Sequence, residues 1–453
     1  MRSPYLDDGD VRLYVGDCIE VMAEMDEGSV DAVVCDPPYG IGFMGKAWDA
    51  PWKDTRTDKR GVIDPAAWGG QQDGNGGNPY SRSRIRTAAA HYGGNPASVN
   101  AAFAAWCETW AREAYRVLKP GGHLLAFGGT RTFHRLTVGI EDAGFEVRDC
   151  LSWLYGSGFP KSLDVSKAID KAAGAEREVV GATARGAQTE STGRYGAWGE
   201  GITPTAPATG AAREWQGWGT ALKPGWEPCV VARKPLAGTV AENVQQHGTG
   251  ALNIDGCRIG RDPDDVSGWA TTGSKASDNR AMSGGNTERN PKPDNAGRWP
   301  ANVAFDEQAA AMLDAQSGER PSGARAGGEY GGIGAGALYG HGGTATLSAI
   351  DANTGGASRF FYTPKASRAD RSTNGANNTH PTVKPTDLMR WLVRLVTPPG
   401  GVVLDPFAGS GSTLVAARAE GVRCIGIERE EEYAQIIAAR LSQLSLLGDG
   451  EAA

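Results

Sequence analysis

Hydrophobic positions along this chain change rhythm repeatedly, and the changes divide it into elements. Arg12–Asp17, with the apolar run Leu13-Tyr14-Val15, predicts a short strand. Residues 18–27 carry helical spacing. Val30–Asp36 is a nearly unbroken apolar run, the mark of a strand buried on both faces. It stops at Pro37-Pro38, because proline has no amide to continue the ladder. Residues 98–118 predict an amphipathic helix with Phe103, Trp106, Trp110, Tyr115 and Leu118 inward. Pro120-Gly121-Gly122 is expected to end it, followed by a strand at His123–Phe127, a helix over 131–143 and a strand at Phe145–Trp153.

The pattern weakens after that and returns near the end. Residues 156–225 are mixed, although Pro228–Arg233 reads as a strand. Between 236 and 357 only islands stand out, at Leu252–Ile259, at Trp299–Phe305 with a helix to about Gln316, and at Arg359–Thr363 just beyond. Ten of the 25 residues of 321–345 are glycine, so that stretch is expected to be loose. Then Thr386–Val396 predicts a helix, Val402–Asp405 a buried strand, 412–420 a helix, Arg423–Ile427 a strand and 431–444 a helix. Strands and helices in alternation predict a mostly parallel α/β sheet, and the last unit is of the mononucleotide-binding kind.

Composition narrows the class. Gly 65 and Pro 25 make up about a fifth of the 453 residues, which fits folded segments separated by loose ones. The seven cysteines are scattered and none forms CxxC, so no metal site and no disulfide framework is expected, and a cytoplasmic setting fits. No run of 18 apolar residues occurs, and the first residues lack a signal-like apolar core, so no membrane partner is expected. The net charge of −7 is unevenly spread: residues 1–31 hold nine acids and two bases, whereas 358–394 hold seven bases and two acids. A local basic face of that kind can meet phosphates even on an acidic protein.

Two constellations carry chemistry. In the first, the strand Val402–Asp405 runs into Pro406-Phe407-Ala408-Gly409-Ser410-Gly411, whose small residues let a ligand approach the backbone. Glu428, 23 residues after Asp405, ends the next strand, where an acid can accept hydrogen bonds from ribose hydroxyls. The loop is not a triphosphate cradle, and Asp405 would repel phosphate and welcome an amine. S-adenosylmethionine carries an amine, a sulfonium and a ribose. In the second, Asp36-Pro37-Pro38-Tyr39-Gly40 offers a carboxylate, a carbonyl, a rigid turn and an aromatic ring at a strand end. Two acceptors on an exocyclic amine would free its lone pair, and an aromatic ring can stack on a base swung out of the duplex.

Asp36-Pro37-Pro38-Tyr39 and Asp405-Pro406-Phe407-Ala408-Gly409-Ser410-Gly411 resemble the signature motifs of the DNA amino-methyltransferases that act on adenine N6 or cytosine N4. Their order resembles the circularly permuted β group. The resemblance covers roughly 1–155, 226–236 and 378–445. It implies a Rossmann-like class I methyltransferase sheet, mostly parallel with one antiparallel hairpin formed by 145–153 and 228–233, and a large loose insertion. It implies S-adenosylmethionine as cofactor and double-stranded DNA as partner, as a monomer or homodimer, in a restriction-modification setting. Asp36, Pro37, Pro38 and Tyr39 would form the catalytic motif. Asp405, Pro406, Phe407, Gly409 and Gly411 would hold the methionine end, Glu428 the ribose and Asp17 the adenine. His380, Thr382 and Lys384 would shape the cofactor mouth. Asp17 can equally be a helix N-cap, and Lys384 equally a phosphate or surface contact.

The implied layout is 1–155 as catalytic half, 156–225 as insertion, 226–236 as a sheet strand, 237–357 as target-recognition region and 358–453 as cofactor-binding half. Arg258, Arg261, Arg298 and Asn302, or Arg82, Arg84 and Arg86 in the loop 41–95, are candidate DNA contacts. Adenine N6 is favoured because Asp rather than Ser opens the motif; cytosine N4, a non-catalytic DNA-binding relative, and an RNA or protein-amide methylase are the alternatives. Pro228-Cys229 and Glu242-Asn243-Val244 resemble fragments of cytosine-C5 enzymes, but their order and 14-residue separation argue against a thiolate mechanism, and Cys229 reads as core.

Overall fold

The apolar run at Val30–Cys35 (β3) is buried at every position and lies near the middle of a nine-stranded sheet in this computed structural model. The structure describes residues 2–41, 49, 96–158, 162–181, 204–260, 297–321, 328–330, 345–347, 354–364, 370, 372–373, 376–377 and 383–446. The other strands are β1 (Leu6–Asp7), β2 (Val11–Val15), β4 (Leu118–Phe127), β5 (Glu146–Leu154), β6 (Trp226–Arg233), β7 (Val303–Phe305), β8 (Val402–Asp405) and β9 (Arg423–Glu428). Their order is β1-β2-β9-β8-β3-β4-β6-β5-β7. From β2 to β4 every neighbour is parallel, β6 runs antiparallel to both β4 and β5, and β1 is an antiparallel edge. The expected mostly parallel sheet forms, with 146–154 antiparallel to 226–233 as expected and with two further antiparallel pairings, β4 with β6 and β1 with β2.

Strand alternation sorts side chains to two cores. Leu13, Ala32, Val34, Leu125, Phe127 and Val403 face one side, under α8 (Thr386–Val396), α9 (Ser412–Ala419) and α10 (Glu431–Leu446). Tyr14, Val33, Cys35, Leu124, Ala126 and Leu404 face the other, under α1 (Cys18–Ala23), α2 (Pro96–Val117) and α3 (Phe133–Asp142). On α2 the residues Phe103, Trp106 and Trp110 fall on one face at helical spacing and are buried, as their spacing requires. Helices on both faces of a parallel sheet leave its strand ends as the open edges.

Pro120-Gly121-Gly122 behaves differently from expectation. Strand β4 already starts at Leu118, and the three residues form an irregularity between the rungs Val30↔Leu118 and Ala32↔His123. Gly121 has φ +76, and a Cβ there would lie 2.4 Å from Asn243 Nδ2. Asn243 itself is buried in α6 (Val240–His247) and donates to the carbonyls of Pro120 and Thr249 at 2.9 and 2.8 Å. The Glu-Asn-Val fragment therefore serves as a tie for this bulge.

Residues 157–225 form a second compact unit, while 1–156 with 226–453 form the first. The second unit is organised on Asp170 of α4 (Val165–Ala172), which is fully buried and accepts from Arg177 Nη1 at 2.5 Å and Thr209 Oγ1 at 2.8 Å. Among the described residues no helix, α5 (Gly210–Glu214) and α7 (Glu307–Ser317) included, is long and apolar enough to cross a membrane.

One buried carboxylate joins three strands of the first unit. Asp31 of β3 accepts from Lys119 Nζ at 2.6 Å and from the amide of Val402 at 2.8 Å. Asp31→Ala leaves the Val402 amide and the Lys119 ammonium without that acceptor and should cost about 3 kcal/mol. Urea unfolding of wild type and variant checks this, and unchanged midpoints would contradict it.

Candidate active site

Five parallel strands end on one edge, and the two acidic motifs sit there because their strands are neighbours. β8 pairs with β3 in the register Leu404↔Val33, so Asp405 at the end of β8 and Asp36 just past β3 leave the same edge of the sheet. β9 pairs with the other side of β8 and ends in Glu428, and β2 beyond it ends at Val15, before Gly16-Asp17. Gly16, Asp17, Asp36, Pro38, Lys384, Asp405–Ser410 and Glu428 all line one pocket at this edge.

Asp17 caps α1: its carboxylate accepts from the amides of Ile19 and Glu20 at 2.9 and 3.4 Å. It also lines the pocket, so both readings of this residue fit its position. The Gly16 amide donates to the Glu428 carbonyl at 2.9 Å, which fixes this turn beside the acid.

The loop after β8 is built to expose its backbone. Gly409 and Gly411 have φ of +53 and +80, and a Cβ on Gly411 would lie 3.0 Å from Ile437. The Gly409 amide donates to Glu428 Oε2 at 2.7 Å and the Glu430 amide to Oε1 at 2.9 Å. The Phe407 amide donates to Asp405 Oδ1 at 3.0 Å, and the Phe407 ring packs on Trp106 and Trp110 with centroids 5.7 and 5.2 Å apart. Behind the loop, buried Arg440 donates to the Ser410 carbonyl at 2.6 Å. That support comes from α10, and no local motif announced it.

Burial pushes the Asp405 carboxyl up to about 7, against hydrogen bonds from Thr413 and the Phe407 amide, and the nearby Asp36 charge adds to the rise. Burial likewise pushes Glu428 up to about 7, against the amides of Glu430, Gly409 and Arg429. Two nearly buried acids near neutrality in one pocket are suited to a ligand that brings positive charge and hydroxyl donors. The residues present thus fit a cationic nucleoside.

At the Asp36 side the structure shows a cluster that the sequence did not. Lys384 Nζ, from the segment before α8, lies 2.6 Å from Asp36 Oδ2, 3.0 Å from the Tyr39 hydroxyl and 3.2 Å from Glu227 Oε2. Tyr39 in turn donates toward Asp36 Oδ1 at 2.9 Å and Glu227 Oε2 at 3.2 Å. The ammonium also lies 4.7 Å from the centre of the Phe127 ring. Burial disfavours charge on Lys384, but Asp36 and Glu227 more than offset it and raise its pKa. Burial, with the charges of Asp36 and Glu227, raises that of Tyr39 well above a free phenol. The Tyr39 carbonyl accepts from Thr132 Oγ1 at 2.5 Å, and Asp49 accepts from the amides of Gly40 and Ile41, so the turn is held on both sides.

The remaining candidates divide. Asp36, Tyr39, Lys384, Asp405, Phe407 and Glu428 gather at the edge, with Pro38 and Pro406 in the pocket wall. His380, Thr382, Arg261, Arg82, Arg84 and Arg86 lie outside the described residues. Arg258 pairs with Asp255 at 2.8 Å, Arg298 donates to the Arg359 carbonyl at 3.0 Å, and Asn302 donates to Asp149 at 3.0 Å, so these three make internal contacts. Cys229 is fully buried in β6, and burial keeps its thiol protonated far above the usual range. Among the described residues no group of three or more His, Cys, Asp or Glu could hold a metal ion. Glu227 was missed by motif reading because only the pairing of β6 with β4 and β5 brings it to Tyr39.

Comparison with known proteins agrees with this geometry. The DNA methylase family profile matches residues 30–170 and 304–439, more than half of the chain. The type II methyltransferase M.HindIII of Haemophilus influenzae is 25% identical over 252 residues, covering 53% of this chain and 64% of its own length. The Escherichia coli K12 protein YubD is 50% identical over 66 residues, 15% of this chain and 29% of its own. The chain thus spans less than two thirds of either relative. The solved PvuII DNA methyltransferase (cytosine-N4-specific) is 13% identical, with 97% of this chain and 89% of that one covered at a TM-score of 0.42. With both acidic motifs on one edge of a permuted parallel sheet, and a family profile matched on either side of the middle segment, the chain belongs to the N6/N4 DNA methylase family.

Proposed function

We propose that this protein methylates the exocyclic amine of a base in double-stranded DNA, adenine N6 in particular, with S-adenosylmethionine as the methyl donor. The observation that carries the reading is the convergence of Asp36 and the Asp405–Glu428 pocket on one sheet edge. Asp at the head of the Asp-Pro-Pro-Tyr motif supports adenine.

S-adenosylmethionine supplies an electrophilic methyl group. Asp405 would hold its amine, Glu428 its ribose hydroxyls and Asp17 its adenine, with the Gly409–Gly411 backbone close by. Phe407, braced by Trp106 and Trp110, would give the pocket an apolar wall. Asp36 Oδ and the Pro37 carbonyl would accept the two amine hydrogens of the target base, leaving its lone pair free. Tyr39 would border the extruded base. The chain's contribution is chiefly placement, which can account for roughly 7–11 kcal/mol of barrier lowering. The target-recognition role falls to 237–357.

Tritium transfer from labelled S-adenosylmethionine to duplex DNA, followed by nucleoside analysis, tests the reading. Wild type should yield N6-methyladenine, and Asp36→Ala should lose transfer while its cofactor affinity stays within a few-fold. Label in N4-methylcytosine would overturn the adenine assignment, and no label in any DNA would overturn the activity. A second outcome follows from the carboxyls near 7. Below that pH they are protonated, and a cationic ligand must expel protons to bind. Cofactor affinity should therefore rise as pH is raised from about 6 through about 7, with a weaker dependence in Asp405→Asn. Calorimetric titration in two buffers checks both affinity and proton release; equal affinity at both pH values would contradict it.

A further inference from the structure

The acceptor carboxylate of the motif is not alone. Asp36 has one oxygen 2.6 Å from Lys384 Nζ and the other 2.9 Å from the Tyr39 hydroxyl. Lys384 is only 6% exposed, and its ammonium makes a second ion pair, with Glu227 at 3.2 Å. Glu227 comes from the antiparallel strand β6, which has no part in either acidic motif. One buried ammonium thus lies between two carboxylates, and charges of +1, −1 and −1 leave the cluster at −1.

A single Lys–Asp pair would be neutral. It would hold Asp36 in place but would spend the carboxylate's charge on the lysine. In methyl transfer the amine lone pair forms the new N–C bond and the C–S pair returns to sulfur. Positive charge then appears on the amine nitrogen, and one proton leaves it, with Asp36 as the nearest acceptor. Fixed negative charge aimed at that nitrogen lowers the barrier. A second anion that neutralises the lysine restores the field that the pairing would otherwise cancel.

Resting on the methyl-transfer reading, we propose that Glu227 and Lys384 are positioning residues for Asp36. Lys384 holds the Asp36 carboxylate in place through the ion pair at 2.6 Å. Glu227 balances Lys384, so that the cluster meets the target amine with one net negative charge. Neither residue need touch the cofactor or the base.

The groups facing Asp36 come from several elements. Lys384 and Tyr39 touch it directly; Asp405 on β8 shares the edge, its carboxyl pushed up to about 7 by burial, with the Asp36 charge adding to the rise. Glu227 faces Lys384 and Tyr39, and the Tyr155 phenol after β5, pushed up to about 12 by burial and the Glu227 charge, stays neutral. Burial keeps the thiols of Cys35 and Cys229 neutral as well. Lys384 is the cation that both carboxylates share, and this makes the charge count testable.

Steady-state methylation and infrared spectroscopy on the full-length protein test the proposal together. Glu227→Gln, of nearly the same shape, should lower kcat by about tenfold or more with cofactor KM within a few-fold, since charge at the transition state is lost rather than binding. Lys384→Met leaves two facing carboxylates, so the acid limb of the kcat profile should move to higher pH. The unliganded variant should also show, at neutral pH, one protonated-carboxyl infrared band more than wild type, in which Asp405 and Glu428 already contribute. The double variant Glu227→Gln/Lys384→Met returns the cluster to −1; it should lose that band and turn over faster than Glu227→Gln alone. Wild-type kcat in Glu227→Gln, no added band in Lys384→Met, or a folded double variant no faster than Glu227→Gln would each overturn the proposal. A wild-type protein that transfers no methyl group to DNA would instead overturn the activity itself, while the infrared result would still report on the charge cluster.

Discussion

Parallel pairing of β8 with β3 is the constraint on which the rest of this structure depends. The two strands are some 370 residues apart in sequence, yet Leu404 lies opposite Val33 and Asp405 leaves the sheet beside the motif that begins at Asp36. Parallel strands carry their C-terminal loops to a common edge, and the helices on both faces leave that edge open. Asp31 secures the pairing from within by accepting the Val402 amide, and the same carboxylate holds Lys119 of β4. A one-residue slip would turn Asp405 toward the opposite face of the sheet.

Charge management follows from this geometry. Each acidic group at the edge is compensated in its own way. Glu428 is held by backbone amides, Asp405 by an amide and a hydroxyl, and Asp36 by an ammonium and a phenol. The first two are left near neutrality by burial, whereas Asp36 has a full counter-charge against it. That contrast matches a division of labour between a cation-binding pocket and an acceptor held by an ion pair.

The parts legible in the sequence were those encoded locally. Buried strands at 30–35 and 402–405 betray themselves by apolar runs, and the loops after them by Pro, Gly and Asp at the point where the ladder stops. Asp36, Asp405 and Glu428 could be found in this way because each terminates its strand. Glu227 could not: it lies in an ordinary strand and gains meaning only from a hydrogen-bond partner, Tyr39, 188 residues away. Lys384 was found as a motif residue, but its contact with Asp36 spans 348 positions. Pro120-Gly121-Gly122 looked like a helix stop and is a bulge inside β4, because Gly121 accommodates the Asn243 side chain that ties it down. The folding of 157–225 as its own unit had no periodic signal; it rests on the polar centre at Asp170 rather than on an apolar stripe.

The most direct measurement is a crystal structure of the protein with sinefungin, an amine-bearing analogue of the methyl donor, and a DNA duplex. The account predicts the analogue between Asp405 and Glu428, and an extruded base whose exocyclic nitrogen lies within hydrogen-bonding distance of both Asp36 and the Pro37 carbonyl. An analogue bound elsewhere, or a base whose amine points away from Asp36, would contradict it.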